Sequence, residues 1–215
     1  MSETELRAEL ADCGRRLYQR GLVVAYEGNL SVRLSETGRA GRNGWSWLLS
    51  PSQRCKAELG PRDFLKLDEQ GQGAGAGQPS SELPLHLGIY RHLPAARAVI
   101  HAHAPYCTAF ACTTEGLTPL LQPELVQLLG GPVPLAPYAP PGGESLFQSV
   151  RGLLHEHPVI LLANHGVVAV SRNSLGEAFH FLEQVEQVAR ITWLARQAGT
   201  PRPLSPAELA ALHAR

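Results

Sequence analysis

A chain of 215 residues, 44% hydrophobic and 18% charged, has the length and composition of one globular domain, residues 1–215, with a substantial core. Its 19 basic and 19 acidic residues cancel, which argues against nucleic-acid partners and against a basic membrane-binding face. No run approaches the ~18–20 apolar residues of a membrane span, and the charged N-terminus has no signal core, so a cytoplasmic location with no membrane partner is expected.

Ser2 and Glu5 form a capping box that opens a first helix, and Leu6, Leu10 and Leu17 continue it at helical spacing until Gly21. Gly28-Asn29 marks a turn, and residues 30–34 alternate as a strand. Residues 35–44 read as a hairpin or loop, 45–49 as a strand stopped by Pro51, and 63–67 as a short strand. Residues 71–78, GQGAGAGQ, read as a loop with nothing to pack.

A helix is expected from Pro79-Ser80-Ser81-Glu82 to about His92, then a strand over 97–103 and a short helix over 105–112. Residues 117–129 read as mostly helical, 132–137 as a strand edge and 144–155 as a helix. Apolar β-runs over 159–163 and 167–170 flank Asn164-His165-Gly166. Residues 174–198 form a long amphipathic helix with Leu175, Phe179, Leu182, Val185, Ala189 and Trp193 near one side, and a last short helix follows Ser205-Pro206. Many connections are too short for parallel crossovers, so the sheet is mixed or mostly antiparallel, with helices packed on it. The four cysteines lack CxxC spacing and read as reduced thiols, with Cys107 and Cys112 as small packed side chains.

His101 and His103 stand two apart on an expected strand, so both imidazoles leave the same face while Ile100 and Ala102 face the core. Alone this pattern is weak, and two histidines at a strand end account for it better. His165 interrupts an apolar run, where a polar pair is costly unless partnered or coordinated. Three neutral imidazoles make a zinc set with one open position. Glu82 opens a helix, where it either favours the helix dipole or acts as a general acid/base beside the metal. His86, four residues on, either orients Glu82 or is a surface histidine. Gly28-Asn29, Pro51-Ser52 and Ser80-Ser81 offer amide, hydroxyl and backbone donors that suit a phosphate.

GNLSVR at 28–33, SPS at 50–52, PSSE at 79–82 followed by His86 and Tyr90, HAHAPYCTA at 101–109, PLAPYA at 134–139 and NHG at 164–166 together resemble the class II aldolase/adducin family, most closely its fuculose-1-phosphate aldolase branch. The resemblance spans about nine-tenths of the chain. It implies a three-layer α/β/α fold around a mostly antiparallel sheet, and a homotetramer with active sites at subunit interfaces. By position it implies one Zn2+ per subunit on His101, His103 and His165, Glu82 as acid/base, and Asn29, Ser52, Ser80 and Ser81 facing a sugar phosphate.

The implied reaction is aldol cleavage of a ketose 1-phosphate to dihydroxyacetone phosphate and an aldehyde through a metal-bound enediolate. Three departures bear on it. Gln53, with Arg54 and Lys56 beside it, stands where the family commonly has glycine, so those cations are alternative phosphate ligands. Gln122-Pro123 lies in the region of an aldolase-branch tyrosine, and no tyrosine follows the last helix. The same chemistry could therefore serve a pentulose-phosphate 4-epimerase, a methylthioribulose-1-phosphate dehydratase or an oxo-acid phosphate decarboxylase. A non-catalytic adducin-like module is the alternative from another class, against which the complete metal set argues.

Overall fold

The computed structural model describes residues 1–34, 44–75, 77–118 and 120–213. Apart from Gly44, the loop expected over 35–44 lies outside the described residues. Helix α1 (Glu3–Gln19) has the expected capping box of Ser2 and Glu5, and Gly21 takes the left-handed conformation just after it. Strands β1 (Asn29–Arg33), β2 (Trp45–Leu49), β3 (Leu65–Asp68) and β4 (Gly73–Ala74) form successive antiparallel pairs. Gly73 and Ala74, read from sequence as loop, pair with Leu67 and Lys66: the backbone of β3 offers a free edge, and small residues can meet it without a core to pack.

The remaining elements are α2 (Leu83–His92), β5 (Ala98–Ala102), α3 (Pro105–Ala111), α4 (Pro123–Leu129), β6 (Leu135–Ala136), α5 (Glu144–Arg151), β7 (Val159–Leu162), β8 (Gly166–Ser171), α6 (Leu175–Ala198) and α7 (Pro206–His213). The helix expected over 117–129 starts only at Pro123, because proline disfavours a helical conformation in the residue before it. Eight strands form one sheet in the order β4-β3-β2-β1-β5-β8-β7-β6, and every pairing is antiparallel except β6 with β7. Among the described residues no helix is long and apolar enough to cross a membrane.

The two faces of the sheet carry separate cores. Leu30 and Val32 of β1, Ala98, Ile100 and Ala102 of β5, and Val167 and Ala169 of β8 pack with α1, α3 and α6. Val99, Val168, Val170 and Ile160 face the other way, against α2 and α5. This is a three-layer α/β/α arrangement. The apolar stripe of α6 is buried as read, except that Trp193 is 45% exposed at its C-terminal end. Cys107 is buried, whereas Cys112, one residue beyond α3, is exposed. The thiol has left the packed face because the helix has already ended.

The polar face of β1 positions the site. Asn29, Ser31 and Arg33 alternate with Leu30 and Val32, yet all five are buried, because the polar face meets α2. Asn29 lies directly opposite His101 in the β1–β5 ladder, and His101 opposite Val168 in the β5–β8 ladder. Directly opposed residues share a face, so the asparagine and the histidine emerge side by side under the start of α2.

Candidate metal centre

His101 is fully buried at the end of β5, and His103 follows on the same face just beyond it. His165 stands in the turn between β7 and β8. Asn164 adopts the left-handed conformation there (φ 55°), tolerable because asparagine is among the residues that visit it most readily. Gly166 permits the close approach: a Cβ at that position would stand 2.5 Å from the Ala102 carbonyl oxygen and 3.0 Å from His103 Cδ2. Just beyond His103, the carboxylate of Glu186 on α6 accepts the backbone N–H groups of Tyr106 and Cys107, at 2.9 and 2.8 Å, and so pins the start of α3.

The three imidazoles form a near-regular triangle, with ring centroids 4.7, 4.9 and 5.1 Å apart. His101 Nε2 is 3.1 Å from His103 Nε2. Two nitrogens each about 2.0–2.1 Å from one tetrahedral ion would be roughly 3.3 Å apart, so the spacing fits a shared cation. The His101 tautomer fits too. Its Nδ1–H donates to the Val167 carbonyl at 3.0 Å, which leaves the Nε2 lone pair facing the cluster. Burial pushes the His101 pKa down to about 3, more than nearby Glu82 restores, so the ring is neutral, as a ligand must be. A ligand atom from each of the three histidines lies within 4.8 Å of the others, and the group could hold a metal ion.

Glu82 is 7% exposed and faces this cluster. Its Oε2 lies 3.1 Å from His101 Nε2, and its Oε1 lies 3.1 Å from His165 Nε2. It occupies the N-cap position of α2, but its side chain makes no capping bond and turns to the histidines instead. Burial raises its proton affinity, but the hydrogen bonds from His165 and from the Asn29 amide outweigh that and hold the carboxyl well below the usual range. Glu82 is therefore ionised.

Asn29 fixes that carboxylate. Its Nδ2 donates to Glu82 Oε2 at 2.8 Å and to Ser80 Oγ at 3.2 Å, so both amide hydrogens are engaged. Its Oδ1 accepts from His86 Nε2. His86 is buried, which lowers its pKa to about 4 and keeps it neutral. Its Nδ1 therefore accepts from Ser31 Oγ at 2.7 Å, and Ser31 in turn accepts from the Tyr90 hydroxyl at 2.9 Å. The His86 side chain bonds Asn29 rather than the Glu82 carboxylate, and it is not a surface residue. Ser31 and Tyr90 stand in the family motifs, but nothing in the sequence gives them this role. Another residue missed from sequence is Glu27, whose carboxylate lies 3.5 Å from His103 Nδ1.

These groups open onto a cleft of 340 Å3 lined by Glu27, Asn29, Ser52, Ser80, Ser81, Glu82, His103 and His165, together with Tyr26, Gln53 and Lys56. All four residues expected to face a phosphate therefore share one cavity with Glu82 and two of the three histidines. The third, His101, lies buried behind them. A larger groove of 800 Å3 between α6 and α3 holds none of these residues.

The class II aldolase and adducin N-terminal domain model matches residues 8–193. The chain belongs to the class II aldolase and adducin family. A 3-oxo-tetronate 4-phosphate decarboxylase of Pectobacterium atrosepticum is 32% identical over 198 residues, which cover 90% of this chain and 86% of that protein. A 5-methylthioribulose-1-phosphate/5-deoxyribulose-1-phosphate aldolase of Rhodospirillum rubrum is 30% identical, covering 97% and 89%. The solved structure of an L-fuculose 1-phosphate aldolase superposes with a TM-score of 0.82 at 30% identity, covering 97% of this chain and 94% of that one. Class II aldolases are generally metal-dependent, and the tri-histidine cluster is the part of this chain suited to that need.

Proposed function

We propose that this class II aldolase-family protein is a zinc-dependent carbon–carbon lyase acting on a phosphorylated, sugar-derived ketone. The observation that carries it is the ionised Glu82 carboxylate held 3.1 Å from both His101 Nε2 and His165 Nε2. A divalent cation on His101, His103 and His165 would supply Lewis-acid polarisation of a carbonyl oxygen. Glu82 moves the proton at the neighbouring carbon, and the Asn29–His86–Ser31–Tyr90 chain holds it in place. Ser52, Ser80 and Ser81, with Asn29 behind them, face the substrate phosphate. The chain works as one domain, residues 1–215, in a homotetramer of the family type.

Decarboxylation of a phosphorylated 3-oxo acid is the outcome the cleft supports best. The bond to the carboxylate carbon breaks, CO2 leaves, the electron pair stays on the adjacent carbon, and Glu82 delivers to that carbon a proton drawn from solvent. This needs only one proton-handling group, and Glu82 is the buried carboxylate that lines the cleft. The decarboxylase relative acts on such a substrate by its name. Aldol cleavage of a ketose 1-phosphate is the second reading, and it needs a further group for the aldehyde oxygen. The phenol of Tyr26, 64% exposed and lining the cleft, favours it.

Zinc-loaded protein incubated with 3-oxo-tetronate 4-phosphate is expected to release CO2 and dihydroxyacetone phosphate in equal amounts. Release of dihydroxyacetone phosphate and an aldehyde from 5-deoxyribulose 1-phosphate, without decarboxylation of the oxo acid, would select the second reading. No release of dihydroxyacetone phosphate from either substrate would reject both.

A further inference from the structure

Only two of the 19 basic residues are lysines, Lys56 and Lys66. Lys66 is an ordinary surface partner, 2.8 Å from Glu3. Lys56 is different. It begins the 3-10 turn Lys56–Glu58, is 1% exposed, and lines the cleft beside Ser52, Gln53, Ser80 and Ser81. Its Nζ donates to the carbonyl oxygens of Tyr26 and Arg54, at 3.1 and 2.9 Å. An ammonium has three N–H donors, so one remains. Neighbouring Arg54 is neutralised by Asp63 at 3.5 Å, but among the described residues no carboxylate pairs with Lys56. A buried charge without a counter-ion is costly. The cost shows in its proton affinity, which burial lowers to about 8. Even so, the group remains mostly charged at neutral pH.

A cleft that keeps an unneutralised, water-poor cation next to serine hydroxyls and the start of a ten-residue helix is built to receive an anion. Gln53, at φ 54°, turns the chain between Ser52 and this lysine. We infer that Lys56 is the fixed cation of the phosphate subsite, using its third N–H to bind a phosphate oxygen while the Tyr26 and Arg54 carbonyls hold the ammonium in place. The assignment rests on the reading that the substrate is phosphorylated. Of the two loop cations that the sequence offered as phosphate ligands, it selects the buried Lys56 over Arg54, which is paired with Asp63.

The small number of lysines makes the test direct. Zinc-loaded protein carrying 13C-labelled lysine gives two sets of εCH2 resonances, assigned with Lys56→Gln. Inorganic phosphate is expected to shift the Lys56 resonance saturably and leave Lys66 in place. In equilibrium dialysis, Lys56→Gln and Lys56→Met, both keeping their zinc, are expected to bind phosphate about 10- to 100-fold more weakly than the wild type. Saturable phosphate binding with an unmoved Lys56 resonance, as when phosphate sits only on the metal, overturns the assignment alone. So does wild-type affinity in either variant. Absence of saturable phosphate binding by the wild-type protein overturns the phosphorylated-substrate reading along with it. The wild-type titration is decisive even where the variants fold poorly.

Discussion

The junction between β5 and β8 sets how closely the histidines can gather, and Gly166→Ala probes it. The added Cβ would stand 2.5 Å from the Ala102 oxygen. Carbon–oxygen contacts between strands settle at about 3.3–3.6 Å, so the strand ends must separate by roughly 0.8–1.1 Å. Metal–ligand distances hold to within about ±0.2 Å, and the same Cβ also presses on His103 Cδ2 at 3.0 Å. The fold should survive with a loss of about 1–3 kcal/mol, the usual cost of overpacking. Zinc affinity should fall by about 10- to 100-fold, as for other perturbations of groups that orient metal ligands. Competition with a chromophoric chelator measures the affinity and urea unfolding the stability. Gly152→Ala, with nothing within 4 Å of its Cβ, is the control. Zinc affinity within twofold of wild type in Gly166→Ala would refute the steric account of the site.

Glu82→Gln should keep its metal, since the amide can still accept from Asn29, but turnover should drop by about 10^2- to 10^4-fold; near-wild-type turnover would remove Glu82 as the proton carrier. His101→Ala should lose stoichiometric zinc and with it the metal-dependent gain in stability, about 2.7 kcal/mol at a free metal concentration 100 times Kd; an unchanged metal content by atomic absorption would contradict the tri-histidine set. His86 is held neutral in the fold, with its pKa lowered from 6.5 to about 4, whereas the unfolded chain protonates it near 6.5. Its contribution is complete above pH 6.5 and is lost as the pH falls towards about 4, amounting to about 3 kcal/mol. Urea unfolding at stepped pH should show His86→Gln with a flatter acid limb than wild type; parallel limbs would dismiss this role.

Much of the site was legible because its signals are local. A period of two places His101 and His103 on one face, and an asparagine-histidine-glycine break in an apolar run marks His165. The family motifs supply Glu82 and the serines. What escaped depends on which strand lies beside which. Ser31 and Tyr90 become partners of His86 only because β1 packs under α2, and a polar residue on a short strand reads from sequence as solvent-facing. The two alternatives for His86 resolved into a third arrangement, in which it acts on Asn29. Lys56 reads from sequence as a loop cation, and its burial depends on partners distant along the chain, Gly14 of α1 and the Tyr26 carbonyl. The exposure of Cys112 and the late start of α4 both turn on where a helix ends or begins, which propensity alone locates only to within a few residues.

One imidazole belongs to β5, a second follows just beyond its end, and the third stands in the turn leading into its neighbour β8, with Ala102 set against Val167. A slip of one position between these strands would turn β8's side chains to the opposite layer and carry the turn away from the other two imidazoles. A cation on these three side chains would thus double as a proofreading device during maturation: it would favour correctly aligned chains, and the rate at which refolding protein gains metal would time the locking of the middle of the sheet.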